Sequence, residues 1–119
     1  MAILGIDFGK KRIGVALSEY GEQSEALKVI NYQNLSSAVD EIKKLCDEHE
    51  IQEIVVGVPE RDVIGARKFG EELEEELALP VKFEIEDLTS QQAAQFRKSN
   101  ESADDVAAAL ILQSYLDSR

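Results

Sequence analysis

At 119 residues the chain has room for one core, with a sheet and helices packed against it, and not for two independent domains. Hydrophobic residues at 44% and charged residues at 31%, with only two prolines, exclude a disordered or low-complexity chain, and the longest apolar stretch, residues 106–112, is far too short to cross a bilayer. The 24 acids outweigh 13 lysines and arginines, and the resulting formal charge of -11 argues against a protein whose main task is to coat RNA or DNA.

Taken in chain order, residues 2–8 read as a strand and 9–11 as a tight turn. Residues 12–18 read as a second strand, antiparallel to the first across a hairpin. Gly21 marks the next turn, and residues 26–30 support a third strand. Leu35, Val39, Ile42 and Cys46 recur at helical spacing, which predicts an amphipathic helix over 35–49 with Asn34 as its cap. Cys46 lies on that apolar stripe and is expected as a buried thiol without a disulfide partner. His49 sits one step further along and is expected to pack or cap.

Ile54-Val55-Val56 is short, β-branched and continuous, as expected of a strand covered on both faces. Pro59 closes it. Residues 62–79 read as a helix through Ala66, Phe69, Leu73 and Leu77, and its run of glutamates is expected to face water. Pro80 resets the chain, and 81–85 supplies another strand. A short helix around Ala93, Ala94 and Phe96 precedes a last helix from Ala103 to about Leu116, with Ser102 as its expected cap. The order predicts an α/β fold: one domain, residues 1–119, with a mixed sheet covered on both faces.

The chemistry concentrates in acids. Asp7 stands inside the apolar run Gly5-Ile6-Asp7-Phe8-Gly9, where desolvation costs a carboxylate several kcal/mol unless a metal, a proton or hydrogen bonds offset it. Glu86 stands just beyond the 81–85 strand, and Asp104 at the start of the closing helix, where Asp105 competes with it for an inward role. If the first and last long strands are neighbours, these elements bring three carboxylates together. Such a group requires a divalent cation or an unusual proton arrangement. Mg²⁺ or Mn²⁺ fits oxygen ligands, and soft thiolate or imidazole ligands are nearly absent. The reaction expected is phosphodiester hydrolysis, with Asp7, Glu86 and Asp104 as catalytic metal ligands and a metal-bound water as nucleophile. Lys10, Lys11 and Arg12 are placed to touch substrate phosphates, as is Arg61.

Leu4-Gly5-Ile6-Asp7-Phe8-Gly9-Lys10-Lys11-Arg12-Ile13-Gly14-Val15-Ala16-Leu17-Ser18 resembles the opening of the YqgF-like proteins, described as pre-16S rRNA nucleases and as Holliday-junction-resolvase-like. Val55-Val56-Gly57-Val58-Pro59 resembles their central strand, Glu86-Asp87-Leu88-Thr89-Ser90 their second acidic motif, and Asp104 with the residues to Leu116 their final helix. The resemblance implies a ribonuclease H-like fold with acids at 7, 86 and 104, and Mg²⁺-dependent nuclease activity. It further implies a role in maturing the 5′ end of pre-16S rRNA, within or beside a pre-ribosomal particle, in the cytoplasm and away from membranes. The chain departs from the family's pattern in Ile85 and Asp87, which flank Glu86, in Lys10 where Thr is usual, and in a shorter loop after Pro59.

Three other readings stand beside hydrolysis of pre-rRNA. The scaffold serves a catalytically weak nucleic-acid-binding or ribosome-assembly protein, or a Holliday-junction-resolvase-like DNA nuclease, or an actin-like or sugar-kinase-like phosphate-binding unit, for which the chain is short. Both a monomer and a homodimer accord with the sequence.

Overall fold

Two apolar runs joined by the short turn at residues 9–11 form the first hairpin. β1 (Ile3–Phe8) and β2 (Arg12–Ser18) are antiparallel, in register from Ile3 opposite Ser18 to Phe8 opposite Ile13. The computed structural model describes residues 1–59, 61–62, 65–85 and 103–118, and only the backbone of 103–105. β3 (Glu25–Asn31) pairs antiparallel with β2, with a register shift between Val15 and Ala16. The chain then crosses through α1 (Leu35–His49) to β4 (Glu53–Val58), which lies parallel to β1. It crosses again through α2 (Ala66–Leu77) to β5 (Val81–Ile85), parallel to β4. The closing helix, α3, spans Ala103–Asp117. The strand order is β3-β2-β1-β4-β5. The condition under which the sequence brings the acids together, first and last strands side by side, is therefore not met, since β4 lies between β1 and β5.

Two apolar layers follow from this order. Leu4, Ile6 and Phe8 of β1 point into the layer shared with α1 and α2, together with Ile42, Phe69 and Leu73. Ile3 points into the opposite layer with Val55, Ala108, Ile111 and Leu112 under α3, and by alternation Gly5 and Asp7 share its face. All of β4 is buried, as its unbroken apolar run predicts for a strand covered on both sides. The same double cover explains why β2, buried from Ile13 onward, lacks clean alternation.

Gly5 sets how close α3 comes. A Cβ there would stand 2.7 Å from the Cβ of Leu112 and 3.2 Å from the carbonyl oxygen of Ala108. At the other side of the sheet Ser24 ties down the helix: its hydroxyl donates to the Ala109 carbonyl at 2.6 Å and its N–H to Gln113 Oε1 at 3.0 Å.

Both outer helices are punctuated by identifiable groups. Asn34 caps α1, its Oδ1 accepting from the Ser37 N–H at 2.8 Å, and Glu50 ends it in the left-handed region. Cys46 is buried on the inner face of α1, and burial, helped by the charge of Asp47, pushes its thiol up to about 11. α2 starts at Ala66 and not at 62, because Asp62 acts from outside the helix. Its carboxylate accepts from the N–H groups of Gly65, Ala66 and Arg67 at 3.1, 2.7 and 3.0 Å. The glutamates of α2 face water, apart from the half-buried Glu72. The short helix expected around residues 93–96 and the Ser102 cap lie outside the described residues.

Candidate active site

The parallel strands β1, β4 and β5 all finish at one edge of the sheet, where β2 also begins and β3 ends. α1 starts from this edge directly after β3, and α2 starts after the short connection from β4. α3 runs antiparallel to β1. The Tyr115 hydroxyl donates at 3.2 Å to Glu53, which is paired with Ile3, while Ala108 and Leu112 face Gly5. Two residues further along β1 is about 7 Å, or roughly four to five residues of helix, which brings the backbone of the first turn of α3 level with Asp7.

Asp7 occupies the penultimate position of β1 and is half-buried on the α3 face. Its partner on β2 is Gly14. On β4 the pairing of Ile6 with Val56 puts Gly57 one step on, beside Asp7. Neither flanking strand projects a side chain at this row, so the carboxylate stands over a floor of bare backbone. Gly57 is paired in turn with Glu84 of β5, two strand spacings or about 10 Å from Asp7. The Glu84 carboxylate accepts from the Ser114 hydroxyl at 3.1 Å. Sequence reasoning passes over Glu84, because only the β4–β5 register aligns it with Asp7.

Of the three predicted metal ligands, the structure gives Asp7 in full and the backbone position of Asp104, in the first turn of α3. Glu86 follows directly after Ile85, the last residue of β5, and lies outside the described residues, as do the side chains of Asp104 and Asp105. Among the described residues no group of three His, Cys, Asp or Glu side chains is placed to hold an ion.

The basic residues named from sequence gather at the same edge. Lys10 and Lys11 are exposed in the β1–β2 turn, and Arg12 opens β2, also exposed. Arg61 is exposed in the connection to α2. In the first turns of α2, Lys68 is exposed and the Arg67 guanidinium lies over the Phe83 ring, 4.7 Å from its centroid, a cation–π contact that sequence reasoning misses. Many of the acids collect at the far ends of the helices: Asp47, Glu48 and Glu50 on α1, Glu74, Glu75 and Glu76 on α2, Asp117 on α3. At the Asp7 edge the bases stand among acids, which include Asp7, Asp62 and Glu84 of the described residues. Asp62 is committed to α2; the N–H of Arg67, then that of Ala66, holds its carboxyl below the usual range against the opposing effect of burial.

A family model described as "RuvX: Holliday junction resolvase" matches residues 1–118. A Clostridium beijerinckii protein named "Putative pre-16S rRNA nuclease" is 39% identical, the match covering 98% of this chain and 96% of the relative. A protein of the same name from Caldanaerobacter subterraneus subsp. tengcongensis is 35% identical, with 100% and 98% covered. The first alignment extends over 133 positions, more than the 119 residues of this chain, so the relative carries segments with no counterpart here. Among solved structures, Thermus thermophilus RuvC superposes with a TM-score of 0.70 at 14% identity, covering 100% of this chain and 96% of that one. The fowlpox virus resolvase in complex with Holliday junction DNA superposes at 0.69 and 10% identity, with 99% and 98% covered. At such identities the likeness is one of fold, and the fold is ribonuclease H-like. Matched along nearly its whole length by the family model and by relatives above 30% identity, the chain belongs to the RuvX family, described as Holliday junction resolvases.

Proposed function

We propose that the chain is a divalent-metal-dependent nuclease that hydrolyses phosphodiester bonds of structured RNA, its target being the 5′ end of pre-16S rRNA in a cytoplasmic pre-ribosomal particle. The observation that carries this reading is Asp7, a half-buried carboxylate between Gly14 and Gly57 at the edge where the parallel strands end. The donors available there are hard carboxylate oxygens, which suit Mg²⁺ or Mn²⁺, and the bare backbone on both sides leaves room for an ion and a phosphate. Asp7, Glu86 and Asp104 would hold the ion, which when bound supplies Lewis acidity toward the phosphate and an acidified water. The chain's other residues bind and orient. Lys10, Lys11, Arg12 and Arg61 attract the flanking phosphates to this edge, and half-burial of Asp7 limits the bulk water that would weaken its hold. The names of the relatives support RNA as substrate.

The description of the matching family favours a second reading, cleavage of branched DNA. One experiment addresses both. Purified protein is incubated with an end-labelled RNA spanning the 5′ boundary of 16S rRNA, and separately with a four-way DNA junction, each with Mg²⁺, Mn²⁺ or EDTA. Cleavage of the RNA that needs the metal and is lost in Asp7→Asn is the expected result. Cleavage of the junction alone would transfer the activity to DNA, and binding without cleavage of either would leave a nucleic-acid-binding protein.

A further inference from the structure

The turn that carries Lys10 and Lys11 is not self-supporting. Gly9 and Arg12 close it, the Gly9 N–H donating to the Arg12 carbonyl at 3.0 Å, so that the two lysines form a two-residue loop. It is tight: a Cβ on Gly9 would stand 2.6 Å from that same carbonyl oxygen. Two-residue hairpin loops match the twist of their strands when they are of the primed types, which place at least the first loop residue at positive φ. Neither Lys10 nor Lys11 has positive φ. A turn of this kind splays its strands unless something outside the hairpin holds it.

Tyr32, the residue after β3, does so at two points. Its N–H donates to the Lys11 carbonyl at 3.2 Å, and its hydroxyl donates to the Gly9 carbonyl. The ring is fixed in turn. It packs against Phe8, centroids 6.2 Å apart, and Phe8 stacks on Phe69 of α2 at 4.4 Å. Tyr32 thus connects the β1–β2 turn to the core directly beneath the segment that bears Asp7, and burial raises its phenol above its ordinary value.

We propose that Tyr32 is a positioning residue for nucleic acid. By gripping both sides of the Gly9–Arg12 turn it fixes where Lys10 and Lys11 stand relative to Asp7, and so sets the affinity for the substrate backbone. The proposal rests on the nuclease reading for the identity of the substrate, but its test does not require cleavage.

The test is a double-mutant cycle on binding. The affinity of a fluorescent RNA hairpin with a single-stranded 5′ extension is measured at low salt for wild type, Tyr32→Phe, the pair Lys10→Ala with Lys11→Ala, and all three together. Tyr32→Phe keeps the ring on Phe8 and removes only the hydroxyl, so circular dichroism should be unchanged. The expected result is a loss of affinity of roughly three- to tenfold in Tyr32→Phe, with little further loss when it is added to the lysine substitutions. Under cleavage conditions KM rises by the same factor while kcat stays within about twofold. Losses that multiply independently, or a Tyr32→Phe protein that binds as wild type does, would overturn the role of Tyr32 even in an active nuclease. A wild-type protein that binds without cutting, and shows the coupling, would overturn the nuclease reading and leave Tyr32 as proposed.

Discussion

A carboxylate inside a sheet persists only where something offsets its lost hydration, and at Asp7 the strands on either side keep the space around it open. The residues beside it, Gly14 and Gly57, contribute space, and the acids expected to share an ion with it arrive from elements far away in sequence. Asp7→Asn should therefore lower metal-dependent turnover by roughly two orders of magnitude or more while shifting the melting temperature far less than a core truncation would, because it conserves shape and removes no apolar contact. Turnover and thermal melting on the same preparation check both halves. Asp7 stood out in the sequence as a candidate because the residues around it are apolar, and its half-buried place in β1 was legible for the same reason. Glu84 was not legible, since an acid in a sequence such as Lys82-Phe83-Glu84 looks solvated until the strand pairing aligns it with Asp7.

The elements divide according to where their determinants lie. The bounds of α1 were readable, because its apolar stripe and its Asn34 cap are both local, although Leu35 at the head of that stripe is exposed and Ala38 and Leu45 complete the buried face. The start of α2 was not, because Asp62 satisfies three N–H groups from four residues ahead of the helix and draws a pattern-based boundary too early. The insertion of β4 between β1 and β5 is a non-local choice that periodicity cannot express. Two predictions belong here. The carboxyl of Asp62 is held below its ordinary value in the folded state, so its contribution is fully present above the unfolded-state pKa near 4 and is lost as pH falls through the lower folded value. Melting curves of wild type and Asp62→Ala should therefore be separated at pH 7 and converge in strong acid. Gly5→Ala forces a Cβ against Leu112 and the Ala108 carbonyl, and should destabilise the fold by about 1–3 kcal/mol in urea titration. Because α3 then shifts off β1, turnover should fall in the same variant.

For the molecule as a whole, charge and topology work together. Each helix begins at the edge where the parallel strands finish, so the bases of the β1–β2 turn and of the start of α2 stand beside the carboxylates of that edge, and a cation bound there would lower the negative charge that an approaching phosphate meets. Cations that collect at Asp7 should also relieve repulsion among carboxylates. A few millimolar Mg²⁺ should raise the melting temperature more than NaCl of equal ionic strength, and Asp7→Asn should abolish the difference. The lone thiol of Cys46 lies inward on α1, with its ionisation pushed up to about 11, and this has a practical corollary. An alkylating reagent needs an accessible thiolate, and the native chain presents neither access nor ionisation. Each labelling event must then record a molecule whose first helix has come away from the sheet, which turns one sulfur atom into a built-in counter of transient opening.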